Sequence, residues 1–371
     1  IQTKPKAGRK APPRNARLVD VETVTRRPYR VQVRAMGTVG PARSIALHPR
    51  VSGEILSVHD EFEPGGLLEA DEELLRIDAS DYDLVVAQRE TDVARAEADL
   101  ALEKGQQSIA KREFELLGED VPEEEGRNLV LRKPQLATVE ARLAAARTAL
   151  AKAKLDRDRT KVEVPLNSLV RTRDADVGTR VTPSTRLATL VGTDDYWIEA
   201  TVPVDRLRWI RVPRTRGETG STVRVTSEAA WGRGVARTGT VLRLAGDIEG
   251  QGRMARLLVR VEDPLALREE NAGEPVLLLG AYVRVVIEGT EIPDVAAIHR
   301  DRIHDGNRVW ILDDEDRLEI RTVEVAYRGP DLALVSSGVR EGERIVVTDL
   351  AAPVEGMPLR VAKSRPGPER S

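Results

Sequence analysis

No cysteine occurs among the 371 residues, which excludes disulfides, cysteine-ligated zinc, thiol chemistry and a lipid-modified cysteine within them. Aromatic residues are nearly as scarce, at 3%. The apolar content is mostly Val, Leu and Ala, which suits strands and thin helical seams better than one large core. Neither sign of charge dominates, since 58 Lys and Arg against 61 Asp and Glu leave a formal charge of −3. Nucleic acid, whose binding needs a concentrated basic surface to displace counterions, is therefore not an expected partner. Long apolar runs are missing too. The longest, 276–283, stops at Arg284, far short of the roughly 20 residues of a membrane helix.

The residues that usually carry chemistry are equally thin. His48, His59, His299 and His304 include no i,i+4 pair, so metal-ligand spacing is absent. Met36, Met254 and Met357 are scattered rather than clustered as soft-metal ligands would be. There is no G-x-S-x-G, no P-loop and no G-x-G-x-x-G; Gly232-Arg233-Gly234 and Gly250-Gln251-Gly252 lack the continuation. The close carboxylates Asp81 and Asp83 read as a helix N-terminus, and Asp313 and Asp314 as a solvated turn. The expectation is a protein that is not an enzyme, with no catalytic, cofactor-binding or metal site and no cofactor.

What is present is a sequence of textures. Residues 1–17 hold six basic and no acidic side chains with three prolines, and read as a flexible basic tail. From Val19 to Asp78 short β segments are punctuated by Gly and Pro. Between Ser80 and Glu163 good helix formers take over. Leu136, Val139, Leu143, Ala146, Leu150 and Ala153 then follow a strict a/d register, a coiled-coil seam. The first half is read as Val86, Val93, Ala96 and Leu100, with Ile109 and Leu116 continuing the stripe after a phase shift. The breaker cluster 118–122 lets the chain reverse between two helices of about 30–38 residues, roughly 45–55 Å long at 1.5 Å per residue. After Glu163 the β texture returns, with Val-Arg-Val at 223–225, 259–261 and 283–285 alternating as half-buried strands do.

The segments flanking the helical stretch read as two halves of one small β fold. The first half runs Leu47 to Ile55, Phe62-Glu63-Pro64-Gly65-Gly66 and Leu74 to Asp78. The second runs Val162 to Val170, Val177-Gly178-Thr179-Arg180-Val181 and Leu187 to Val191. This resembles the split biotinyl-lipoyl motif of the HlyD/RND membrane fusion protein family, in which a coiled-coil hairpin is inserted between two lipoyl half-motifs. Residues 196–203 and 279–285 resemble the family's β-barrel domain, and 335–347 its membrane-proximal domain, so the resemblance covers about 18–362 in order. Asp71 and Ser168 stand where the half-motifs usually have Gly.

The resemblance implies a mainly β, elongated multidomain chain with an α-helical coiled-coil hairpin. Its parts would be a tail (1–17), N-terminal strands of the membrane-proximal and barrel domains (18–43), a lipoyl-like half-motif (44–79), the hairpin (80–163), a second half-motif (164–193), a β-barrel domain (194–290), a membrane-proximal β domain (291–362) and a tail (363–371). The function implied is that of a periplasmic adaptor joining an inner-membrane RND efflux transporter to a TolC-like outer-membrane channel, with copies self-associating into a ring. It would be tethered to the inner membrane by a segment upstream of residue 1. The same scaffold would serve an ABC-type or type I secretion exporter. A biotinyl or lipoyl carrier, the alternative from another class, needs a modifiable Lys where this sequence has Ile77-Asp78-Ala79-Ser80. Channel docking in the family uses a tip resembling Arg-x3-Leu-x6-Ser. Arg112 and Leu116 match it, Glu123 stands in place of Ser, and Arg112, Leu116, Leu117 and Val121 are the candidate tip residues; Leu136, Val139, Leu143 and Leu150 are the candidate seam.

Overall fold

The computed structural model describes residues 16–117, 124–215, 217–249 and 254–366. The chain divides into two compact units, one of residues 41–196 and the other of 1–40 with 197–371. In the first unit, two four-stranded sheets each draw strands from both sides of the helical insertion. One sheet has the order Ser44–Leu47, Ala188–Gly192, Ser168–Arg173, Leu67–Leu68; the other has Lys161–Glu163, Glu73–Ile77, Gly53–Val58, Arg180–Val181. Neither half owns a complete sheet. Their shared core contains Ile55, Phe62, Leu74 and Ile77 from the first half and Val164, Val170, Leu187 and Leu190 from the second, all fully buried.

Two backbone positions in this unit explain the Gly usage. A Cβ on Gly66 would lie 2.0 Å from the Glu61 carbonyl oxygen, so only glycine lets that loop close. Asp71 takes the left-handed conformation at φ 66°, which Asp tolerates better than most residues. The turn geometry that glycine would supply at 71 is thus kept. Ser168 instead opens a strand and is buried. The strand Lys161–Glu163 corrects the expected end of the hairpin segment, because it pairs with Glu73–Ile77 and buries Val162. Three residues of sheet were hidden there behind a helical texture.

In the second unit, six strands close a barrel. Thr222–Thr226, Arg237–Glu249, Met254–Glu262, Asp195–Pro203, Arg26–Pro41 and Tyr282–His299 follow one another, and the last pairs back with the first. Alternation drives the closure: Val31, Val33 and Ala35 of one long strand and Val283, Val285 and Ile287 of the other point inward, while the residues between them face out. The long strands continue past the barrel, and Tyr282–His299 pairs there with Leu332–Ser337. The ladder between Tyr282–His299 and Arg26–Pro41 is irregular at 288–291 and 292–295, beside Pro293. At that end the Arg26 guanidinium donates to the Asp294 carboxylate at 2.8 Å and to the carbonyls of Val339 and Ser336, both at 2.9 Å.

A further five-stranded sheet has the order Leu318–Thr322, Arg308–Leu312, Arg344–Val346, Arg17–Thr23, Leu359–Pro366. The N-terminal strand lies parallel to the last strand of the chain and antiparallel to Arg344–Val346. Of the first two strands, Arg17–Thr23 thus lies in this sheet and Arg26–Pro41 in the barrel. Among the described residues, no helix is long and apolar enough to cross a membrane.

Phe62 is wholly buried and lies 5.2 Å from the Arg173 guanidinium, which ties the two halves together. Phe62→Ala is expected to lower the unfolding free energy of the lipoyl-like unit by about 3–5 kcal/mol, read as a shifted denaturant midpoint.

Candidate functional site

The hairpin grows from the junction of the two half-motifs. The Ser80 backbone N–H and hydroxyl donate to the Asp78 carboxylate at 2.9 and 2.7 Å, and these bonds hold that carboxyl below its usual range. Helix α1 (Ser80–Leu117) starts there with Asp81 and Asp83 in its first turn, favourable next to the positive helix end. At 1.5 Å per residue its 38 residues span about 57 Å. The Tyr82 hydroxyl donates to the Ser52 carbonyl at 2.7 Å, and the Ile77 N–H donates to the Thr160 carbonyl at 2.8 Å. Both ends of the insertion are thereby clamped to the sandwich.

The returning limb is not one helix. A short α2 (Glu124–Val130) is separated from α3 (Lys133–Asp158) by Leu131 and Arg132, with Arg132 left-handed at φ 53°. Pro134, in the first turn of α3, has no N–H to offer the preceding turn. The expected pair of unbroken helices is thus corrected by a break that Lys133-Pro134 marks in the sequence.

Along α3, Leu143 and Ala153 are buried, and Leu136, Val139, Ala146 and Leu150 are half-buried. On α1 the outcome differs from the expected phase shift. The register of Val93, Ala96 and Leu100 continues unbroken through Glu103, Gln107, Ala110 and Phe114, all less exposed than their neighbours. Glu103 is buried because Arg132 pairs with it through two hydrogen bonds of 2.8 Å, and Gln107 donates to the Leu131 carbonyl at 3.2 Å. A count of apolar residues alone misses a seam in which two positions are polar and satisfied by the break opposite. Outside the seam, Arg147 with Glu97 at 2.8 Å and Lys154 with Glu90 at 3.0 Å bridge the limbs. They are exposed, so they support the register more than the stability.

Ile109 and Leu116 leave that seam for a second stripe. Leu102, Ile109 and Leu116 recur every seven residues along α1 and are 67%, 57% and 86% exposed. Arg112 lies exposed between the last two. Leu129 and Val130 of α2 are further exposed apolar residues on the returning limb. Leu117 closes α1, while its side chain and all of Val121 and Glu123 lie outside the described residues. Among the described residues, no cluster of His, Asp and Glu is arranged to hold a metal.

A hairpin inserted between two lipoyl-like halves, followed by a six-stranded barrel and a β domain completed by the N-terminal strand, defines the architecture of a membrane fusion protein. Residues 293–352 match the model for the RND membrane fusion protein C-terminal permuted SH3 domain. The chain is 24% identical over 342 residues to the multidrug resistance protein MdtA of Cronobacter turicensis, covering 89% of this chain and 76% of that protein. It is also 24% identical to MdtA of Klebsiella pneumoniae over 357 residues, 94% of this chain and 81% of the relative. In fold it is similar to MacA from Actinobacillus actinomycetemcomitans, with a TM-score of 0.59 at 16% identity over 88% of this chain and 99% of MacA. A MacA–MexA chimera carrying the Pseudomonas aeruginosa MexA α-hairpin gives 0.55 at 18% identity over 88% of this chain and the whole of the chimera. These findings show a chain similar in sequence to RND-type efflux adaptors and in fold to solved membrane fusion proteins.

The Arg132 guanidinium holds the Glu103 carboxyl below the usual carboxylate value of 4.5. A depressed carboxyl stabilises the folded state above its unfolded value and loses that contribution as pH falls through the folded one. Hydrogen-exchange protection factors around residues 103–107 and 131–136, corrected for the intrinsic rate, are expected to fall below about pH 4.5, and Glu103→Gln should remove that part of the acid sensitivity.

Proposed function

We propose that this chain is the periplasmic adaptor of an efflux pump, linking an inner-membrane RND transporter to an outer-membrane channel and supporting export of small molecules. The observation that carries the reading is the second heptad stripe. Leu102, Ile109 and Leu116 form an apolar stripe left exposed among the described residues, at the spacing by which one helix packs against others. A channel whose mouth is built of helices would cover it, with Leu116 entering an intermeshing hole and Arg112 pairing with carbonyls or carboxylates at the rim. The multidrug resistance names of the relatives support small-molecule export as the setting.

The adaptor works mechanically rather than by chemistry. Several copies assemble into a ring, a tether upstream of residue 1 holds each at the inner membrane, and transporter motion passes through the joints between β domains. Arg26 and the irregular ladder beside Pro293 form one such joint. The carrier alternative is disfavoured by the junction itself, where Asp78 caps a helix in place of a modifiable lysine.

A photocrosslinker at position 116 or 117 in intact cells is expected to capture an outer-membrane channel. Leu102→Asp with Ile109→Asp should abolish that crosslink and export while leaving the far-UV circular dichroism unchanged, because both residues are exposed. Capture of sister copies alone would contradict the channel contact, and the transporter that co-purifies separates an RND from an ABC partner.

A further inference from the structure

The outer face of the barrel carries a feature that the adaptor role does not use. Register places Arg224 opposite Val286 and Val286 opposite Arg34, while in the next row Thr226 faces Arg284 and Arg284 faces Met36. Three arginines on three adjacent strands thus share one exposed face, within about 10 Å across the strands at a spacing of about 4.8 Å. Helix α4 (Glu228–Trp231) and the residues after it contribute Glu228, Gly234 and Val235 to the lining of a groove of about 710 Å³ over this face. A groove of that size lies within the range of about 300–1,000 Å³ typical of small-molecule sites.

The charges here are available. Arg224 has no hydrogen-bond or ion-pair partner among the described residues. Arg34 is paired with Asp331 at 3.0 Å and Arg284 with Glu228 at 3.4 Å, in both cases with each side chain about half exposed. Pairs so exposed are held weakly, so an incoming oxyanion competes for both guanidiniums while taking Arg224 outright. Beside them Met36 and Val235 are each 38% exposed, and Val286 adds a third apolar contact.

We propose that this groove binds a small, free anionic amphiphile, its carboxylate or phosphate gripped by Arg224 with Arg34 and Arg284 and its apolar body lying on Met36, Val235 and Val286. Guanidinium forks suit such planar or tetrahedral oxyanions. Glu228 opposes the site, because it occupies Arg284 and repels the ligand's charge. Binding is a property of the chain in solution, so this inference stands apart from the export role.

Calorimetric titration of the full chain with decyl phosphate below its micelle concentration tests the proposal. Decyl phosphate should bind at one site, more weakly as salt is raised, and Arg224→Gln should weaken it by about tenfold or more, the scale expected for a lost charge-assisted hydrogen bond. Glu228→Gln should tighten it, and inorganic phosphate and decyl maltoside should each bind far less well. The proposal is overturned if Arg224→Gln and Arg284→Gln leave binding unchanged, or if neutral decyl maltoside or inorganic phosphate binds equally well. It is also overturned if phosphatidylglycerol vesicles bind while free decyl phosphate does not, since the occupant would then be a membrane surface.

Discussion

The pairing of the two half-motifs is the constraint on which the hairpin depends. Each sheet of the sandwich needs strands from before and after the insertion: Gly53–Val58 pairs with Arg180–Val181, Glu73–Ile77 with Lys161–Glu163, and Leu67–Leu68 with Ser168–Arg173. The sandwich therefore cannot form until the ends of the insertion have been brought together. Once it has formed, the Ile77 to Thr160 hydrogen bond fixes the bases of α1 and α3 side by side. The loop-closure cost of some eighty inserted residues grows only logarithmically with length, and a coiled coil whose limbs already run antiparallel lowers it further.

Given that base, the hairpin has two tasks with different chemistry. Toward its partner limb it presents a thin seam of Val, Leu and Ala, strengthened at one level by Glu103 and Arg132. Away from it, Leu102, Ile109 and Leu116 stay exposed. An apolar residue left in water every seventh position adds nothing to the hairpin's own stability. In the adaptor role we propose it is the surface that meets another helix, and the break at Arg132 lies on the limb opposite this stripe.

Much of this was legible in the sequence because it rests on local signals. Gly65, Gly66 and Gly178 mark the turns of the half-motifs, and the a/d spacing from Leu136 to Ala153 marks the seam of α3. Strand alternation at the Val-Arg-Val triplets marks barrel strands, but their closure into a ring, Val223 against Ile287 and Val225 against Val285, depends on partners about sixty residues apart and leaves no local trace. On α1, hydrophobicity pointed to Ile109 and Leu116 as seam residues, whereas the fold buries Glu103 and Gln107 there because Arg132 and the Leu131 carbonyl satisfy them. The arginine groove was hidden for a related reason: Arg34, Arg224 and Arg284 are distant in sequence and meet only through strand register.

The adaptor role we propose requires a hairpin that reaches the channel, carried on a sandwich and barrel that fold without it. The most direct measurement replaces residues 80–159 by a short turn joining Ala79 to Thr160 and follows both folding and export in cells. The account predicts a chain that keeps its β circular dichroism and cooperative melting while export and co-purification with an outer-membrane channel are lost. Export that persists without the hairpin would contradict it.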